Sequence, residues 1–376
     1  MNAHAVAPLV TTIIPTCHRS FWVRRAILSV LHQSYPHILV LVCDNSSDSE
    51  TEEVVRRLAE KDPRVRYHRH AKNIGSYNNF NYGINSVKTP FFSLLSDDDM
   101  LLPDFYRCSL QALENFPEAM FACMAAMVVD SDDNVISEPV LVEETRLNAA
   151  AEGLVGSQLR PIPAAWTGIL FRTDVRDIIG VIDSDAGPFA DGAYVMHAAA
   201  RFPFVDVPGV GAVLMAHEAS TSGTIKPVDG EWLSWWERMI RRIETDNAVP
   251  CEARARLRAK EVLNIAAFNL RKIAIQQVLK SVSAGDFEYA KHAAAGAKVC
   301  GYPFVSWMLK MLIMAERSMH LLRPALFCAL TIRRALRRRA HLRLNHRYAH
   351  ERAEVMRLHG MVYGVETTVS ALGEGN

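Results

Sequence analysis

Four short apolar runs within the first 95 residues, each followed by a polar cluster, restrict this chain to very few architectures. Val10 to Pro15 (VTTIIP) is β-branched and closed by proline, which predicts a buried strand. His37 to Cys43 (HILVLVC) is almost continuously apolar, as a parallel strand covered on both faces should be. Val65 to His68 and Thr89 to Leu95 (TPFFSLL) predict a third and a fourth strand. Between them, Val23, Ile27, Val30 and Leu31 share one helical face that ends at Tyr35-Pro36. A second helix is expected from about Asp48 to Asp62-Pro63, and a third over Asn73 to Val87. Pro103 marks a fourth, since its missing N–H costs nothing in a first turn. The alternation predicts an α/β fold, a doubly wound and mostly parallel sheet. In such sheets ligands bind beyond the carboxyl ends of the strands. The polar clusters at residues 15–19, 44–47 and 96–99 all fall there.

The charge balance narrows the function classes. The 376 residues carry 42 Lys and Arg against 41 Asp and Glu, a net charge of +1, which argues against a dedicated nucleic-acid binder. Seven cysteines without a CxxC pair predict reduced thiols, a cytoplasmic setting and no zinc site of familiar spacing. No secretory leader and no transmembrane span are expected. GxGxxG, GxxxxGK[ST] and GxSxG do not occur, which excludes a nicotinamide Rossmann domain, a P-loop NTPase and a serine-elbow hydrolase.

Asp97-Asp98-Asp99, directly after the fourth strand, carries the strongest chemical signal. Adjacent carboxylates raise one another's pKa, and a hard divalent cation removes that cost. Mg²⁺ commonly takes one or two carboxylates together with substrate phosphates, so the run reads as a metal–diphosphate site. The competing reading is a solvated acidic turn, and the position at the sheet's binding edge favours the site. Asp130 to Asn134 also starts like a calcium loop. Val135 replaces the required glycine and Leu141 the bidentate glutamate, so a hairpin turn is expected instead.

Seven segments then occur in a telling order: VTTIIPTCHRS (10–20), CDNSSD (43–48), KNIGSYNNFNYGI (72–84), LLSDDDMLLPD (94–104), WTGILFR (166–172), FADGAY (189–194) and HEAS (217–220). Together they resemble the family 2 glycosyltransferases over about residues 9–220. The resemblance implies the GT-A fold and inverting transfer of a sugar from a nucleoside-diphosphate donor, UDP- or dTDP-linked, with Mg²⁺ or Mn²⁺. The acceptor it implies is a hydroxyl of a glycan or lipid-linked saccharide, in cell-surface polysaccharide or glycolipid assembly.

The same resemblance assigns roles. Pro15, Thr16 and Arg19 match the nucleotide-contacting loop, and Asp44 the aspartate that recognises the base. Asn73 and Gly75 match the segment lining the nucleotide pocket, with Asn81 beside them. Asp98 matches a metal ligand, Asp97 a ribose or sugar contact, Asp99 a second ligand and His217 a metal or diphosphate ligand. Ser96 stands where many relatives have the first aspartate. Asp191 matches the general base, although Ala190 replaces the acidic residue that usually precedes it; Asp is also a common helix cap. Trp166 and Gly168 match a segment beside donor sugar and acceptor, and a tryptophan is equally suited to a core. The processive signature QxxRW does not occur, so a single transfer is expected.

The expected organisation is a catalytic domain over 1–232, a helical hairpin-like region over 233–302 and an amphipathic basic tail over 303–376. In the tail, Met308, Met311, Leu312, Ala315, Met319 and Leu322 form a stripe, and seven arginines follow between Arg333 and Arg347. That pattern suits peripheral contact of residues 303–350 with an anionic membrane, and equally a helix docked on the catalytic domain. Two other classes fit parts of the sequence. Ala190 and Ser96 suit a non-catalytic binding or scaffold protein of the same fold. A sugar-nucleotide nucleotidyltransferase would need a glycine-rich first loop, which PTCHRS lacks.

Overall fold

The computed structural model describes residues 9–150, 166–183, 187, 190–217, 231–251, 254, 275, 277–279, 281–282, 285–299, 303–319 and 339–363. The chain divides into two compact units. One comprises Met1–Ser184, Ala190–Ser220 and Arg343–Asn376; the other comprises Asp185–Phe189 and Thr221–Leu342. The segment 303–376 is thus shared between the two units.

The first unit is built on a mixed, mostly parallel sheet. Its strands are β1 (Val10–Thr16), β2 (Ile38–Asp44), β3 (Val65–Arg69), β4 (Phe91–Leu94), β5 (Met100–Leu101), β6 (Phe121–Asp130), β7 (Val135–Ser137), β8 (Arg146–Asn148), β9 (Ile169–Arg172) and β10 (Phe204–Ala216). The order is β3-β2-β1-β4-β9-β6-β10-β5, with β7 on β6 and β8 on β10. β1 pairs in parallel with β2 and β4, and β2 with β3, as the apolar runs predict. β9 enters antiparallel between β4 and β6, so the doubly wound half joins a mixed half. Asp130 to Asn134 makes the expected turn, in which Asp130 Oδ1 accepts the N–H groups of Asp132 and Asn134.

Helices α1 (Ser20–Leu31), α2 (Glu50–Lys61), α3 (Ser76–Ser86) and α4 (Phe105–Asn115) follow β1, β2, β3 and β5. β1, β2, β3 and β4 run parallel, so the loops after their carboxyl ends collect at one edge, whereas β5, which precedes α4, runs the opposite way. α1 buries Val23, Ala26, Ile27 and Val30 on Ile14, Val40 and Val42 of the sheet. At about 1.5–3 kcal/mol for each large side chain removed from water, this face dominates the local stability. α5 (Thr173–Ile179) and α6 (Ala190–Arg201) follow β9.

A C-terminal helix, numbered α10 (Ala349–Tyr363), belongs to this unit. Tyr348, Val355 and Leu358 join Met100, Met127, Val129, Val135, Val213 and Met215 in one apolar cluster. Arg352 donates to the Asp133 carbonyl at 2.8 Å, and His359 lies 2.6 Å from the Asp133 carboxylate.

The second unit contains α7 (Glu231–Thr245), α8 (Phe287–Val299) and α9 (Pro303–Met319). Ala290, Ala293 and Ala294 of α8 pack on Leu309 and Ile313 of α9, together with Val278 and Val282. The opposite face of α9 exposes Phe304, Trp307, Met308, Met311 and Met314. Among the described residues, no helix is long and apolar enough to cross a membrane.

Candidate active site

The register of the sheet assembles the site. Thr16 ends β1 beside Asp44, which ends β2, and the turn after β4 carries Asp97, Asp98 and Asp99. All three aspartates are buried, at 6–8% exposure. Asp97 accepts from Thr16 Oγ1 at 2.8 Å and from Arg19 Nη1 at 2.9 Å. The same guanidinium nitrogen donates to Asp98 Oδ2 at 2.9 Å. His217, just past β10, brings Nε2 within 3.0 Å of that oxygen. Thus Thr16, Arg19, Asp97, Asp98 and His217, which are scattered over 200 residues, form one continuous polar cluster.

Asp99 faces elsewhere. Its Oδ2 accepts from Thr167 Oγ1 at 2.9 Å and its Oδ1 from the Met215 N–H at 3.1 Å. Both oxygens are engaged by fixed neutral donors, so Asp99 ties β10 to the segment before β9 and does not converge with Asp98 and His217. Burial, then the charge of Asp98, raises the Asp99 carboxyl well above its ordinary range. Burial likewise pushes Asp97 up to about 6, against the opposing charge of Arg19.

The nucleotide-side residues lie one strand away. Asp44 is fully buried; Oδ1 accepts from the Ser46 N–H and Oδ2 from Tyr67 Oη, each at 2.7 Å. Asn45 donates to the Gly75 carbonyl at 3.1 Å and accepts from the Ile74 N–H at 3.3 Å. Asn73 accepts from the Gly75 N–H at 2.8 Å, and Gly75 takes φ +85°, a conformation L side chains rarely adopt. Buried Asn79 donates to the Cys43 carbonyl at 2.9 Å. Pro15 lies in β1 opposite Cys43, where it lines the strand and supplies no N–H donor.

The remaining expectations divide. Trp166 is 5% exposed, and its ring packs 4.4 Å from that of Phe80. Gly168 has φ +94°, and a Cβ there would stand 2.9 Å from the Met124 carbonyl; sheet packing requires this glycine. Asp191 lies within the first turn of α6, where Oδ1 accepts the Gly192 N–H at 2.7 Å. The expected N-cap position is therefore not where it sits. Burial raises its carboxyl above the ordinary range, and its charge is felt by Tyr77 of α3. Ala190 is buried, so an acidic side chain in its place would bring a second buried charge. Asn81 exchanges two 3.0 Å hydrogen bonds with the backbone of Ile182 and so clasps that loop.

Sequence reading missed Trp22, Arg25, Tyr67, Asn79 and Thr167. Thr167 adjoins a quoted motif residue, but nothing in residue spacing links Tyr67 to Asp44 or Trp22 to His217.

The cation expectation can be tested on the donor set. Among the described residues, no group of three His, Cys, Asp or Glu side chains is gathered as a metal site. Asp98 and His217 nevertheless offer a carboxylate oxygen and an imidazole nitrogen at one corner, with side chains 11% and 9% exposed. Asp97, Asp98 and Asp99 are all buried here, and Arg19 pairs with Asp97 and Asp98. A hard divalent cation fits this pair and this charge shortage.

Comparison with known proteins gives the same resemblance. Residues 11–173 match the model described as Glycosyl transferase family 2. That segment, under half of the chain, is similar to the family 2 glycosyltransferases. An uncharacterized glycosyltransferase of Rickettsia felis is 41% identical over 99 residues, which is 26% of this chain and 16% of the relative. The GalNAc(5)-diNAcBac-PP-undecaprenol beta-1,3-glucosyltransferase of Campylobacter jejuni is 27% identical over 133 residues, 35% of this chain and 42% of that one. The chain thus spans less than half the length of these curated relatives. The structure of S. aureus TarS 1-349 in complex with UDP-GlcNAc superposes with a TM-score of 0.56 at 12% identity, covering 97% of this chain and 95% of that one. The chain therefore has the GT-A fold that the resemblance implies.

Proposed function

We propose that this chain is an inverting glycosyltransferase that moves a sugar from a nucleoside-diphosphate donor, UDP- or dTDP-linked, to a hydroxyl of a glycan or lipid-linked saccharide, in cell-surface polysaccharide or glycolipid assembly. The observation that carries this reading is the Thr16–Asp97–Arg19–Asp98–His217 hydrogen-bond cluster, with its two aspartates buried, at the strand ends of the segment that matches family 2. The C. jejuni relative's name, which includes an undecaprenol-linked saccharide, supports a lipid-linked acceptor. UDP-GlcNAc in the TarS structure supports a uridine nucleotide.

Asp44 accepts the N3–H of the pyrimidine, and the Asn73–Gly75 loop lines its pocket. Arg19 swings from Asp97 and Asp98 onto the diphosphate, since a guanidinium binds two phosphoryl oxygens in one plane. Asp97 contacts the ribose or sugar. A divalent cation, Mg²⁺ or Mn²⁺, would be held by Asp98 and His217 and would supply Lewis-acid charge to the departing diphosphate. Asp99 holds the frame through Thr167 and Met215. As the acceptor oxygen attacks the anomeric carbon in line, the bond to the diphosphate oxygen breaks and the acceptor proton passes to Asp191 Oδ2, the oxygen not held by Gly192.

The exposed α9 face suits peripheral contact with an anionic membrane on the cytoplasmic side, within residues 303–350. Phe304, Trp307, Met308, Met311 and Met314 follow helical spacing, and Lys310 is exposed beside them. Arg347 instead pairs with Glu138, which leaves it less suited to lipid.

The deciding experiment is a panel of nucleotide sugars with Mg²⁺ or Mn²⁺, scored for nucleotide release and for donor-induced thermal stabilisation. A UDP- or dTDP-sugar should stabilise the protein and turn over with a polyprenyl-linked saccharide. Folded protein that binds no donor overturns the reading. Flotation with anionic liposomes tests the membrane arm: Trp307→Glu with Met311→Glu should abolish co-flotation, and unchanged flotation overturns it.

A further inference from the structure

The indole of Trp22 lies flat on the imidazole of His217, with ring centroids 4.8 Å apart and planes 10° from parallel. The same indole carries the Arg25 guanidinium 4.6 Å from its centroid. Arg25, which is fully buried, donates from Nη2 to the backbone carbonyl of Asp98 at 2.9 Å. Two routes therefore run from Trp22 to Asp98: one through His217 Nε2 to the carboxylate, the other through Arg25 to the main chain. An imidazole on a single Cα–Cβ stem can rotate about two bonds, and stacking fixes the plane of the ring. With its plane fixed, Nε2 stays aimed at Asp98 Oδ2.

The support behind Trp22 comes from far along the chain. Trp22 packs on the cluster that includes Tyr348, Val355 and Leu358 of the C-terminal segment. Phe21 meets Trp22 edge-on at 5.2 Å and the ring of His359 in α10 at 5.7 Å. We infer that Trp22 is a positioning residue, which holds His217 and, through Arg25, the Asp98 main chain in the geometry that receives the divalent cation, with α10 as its backing. The inference rests on the assignment of Asp98 and His217 to the cation. Loss of a group that orients a metal ligand from behind typically costs about 10- to 100-fold in metal affinity.

The test uses the full chain with Mn²⁺ and UDP, and free Mn²⁺ is read by electron paramagnetic resonance. Trp22→Leu should weaken Mn²⁺ binding by on the order of tenfold, while Trp22→Phe, which keeps an aromatic face, should stay within about threefold of wild type. His217→Gln sets the scale for complete loss of the imidazole. Equal Mn²⁺ affinity in Trp22→Leu and wild type overturns the positioning role. Wild-type protein that is stabilised by UDP yet binds no Mn²⁺ overturns the cation assignment, and this inference with it. A second measurement needs no variant of Trp22: in histidine-labelled wild-type protein, the ring resonance missing from His217→Gln should be shifted upfield by the indole. A resonance at the position of an unstacked imidazole overturns the proposal even if Trp22→Leu does not fold.

Discussion

Tyr67 donates a 2.7 Å hydrogen bond from its phenol to Asp44 Oδ2, while the Ser46 N–H holds Oδ1. The carboxylate that the family resemblance assigns to the base is therefore already satisfied in the absence of nucleotide. Tyr67→Phe removes one donor from a buried charge and should lower stability by about 1–2 kcal/mol. The pyrimidine N3–H then fills the empty position. UDP should accordingly raise the melting temperature of Tyr67→Phe by more than that of wild type. Equal UDP-induced shifts in the two proteins would mean that Asp44 does not face the base.

Asp97 predicts a pH dependence of the metal-free protein. Burial pushes its carboxyl up to about 6 from 3.8, so between those values the folded state binds a proton that the unfolded state lacks. Stability from this group therefore falls as pH rises toward 6 and stays reduced above it. The full difference corresponds to about 3 kcal/mol. Asp99 is shifted in the same direction, so the comparison with Asp97→Asn isolates the first group. Melting temperatures over pH 5–8, without cation, should fall with pH more steeply in wild type than in Asp97→Asn. Parallel curves would show that the pairing with Arg19 outweighs the burial of Asp97.

The parallel half of the fold was legible because its strands are covered on both faces and read as unbroken apolar runs. β9 was not, since ILFR carries no mark of direction, and only pairing with both β4 and β6 makes it antiparallel. The aspartate run was legible as chemistry, but its division of labour was not. Asp98 and Asp99 are neighbours in sequence, yet the turn aims one at His217 and the other at Thr167. Tyr67 and Trp22 were invisible for the same reason: one meets Asp44 from the neighbouring strand and the other meets His217 from α1, at separations no periodicity encodes. An amphipathic pattern states that a face is buried without stating against what, and α10, beyond the basic stretch, buries Val355 and Leu358 on Met127, Val129 and Val213 of the sheet.

Gly168 separates packing from ligand contact. A Cβ at that position would approach the Met124 carbonyl to 2.9 Å, on a backbone already at φ +94°. Gly168→Ala should cost about 1–3 kcal/mol through backbone strain. If packing is its whole role, the fraction that remains folded should bind UDP with wild-type affinity by calorimetry. Reduced affinity at unchanged stability would return this glycine to the donor site.

Asp191 is the one carboxylate in this family position, since Ala190 precedes it. Oδ1 is held by the Gly192 N–H, which leaves Oδ2 for an acceptor hydroxyl. Burial raises the carboxyl above 3.8, which makes it a stronger base than an exposed aspartate. Its base form is lost as pH falls through the raised value, so turnover should decline on the acid side at a pH above that of an ordinary aspartate. Asp191→Asn should lower kcat by about 10²- to 10⁴-fold with UDP affinity unchanged, the pattern of a group that acts on the acceptor proton alone. A scaffold protein of the same fold would bind nucleotide equally in both forms and turn over in neither. Measurable turnover in wild type that survives intact in Asp191→Asn would assign the proton to another group.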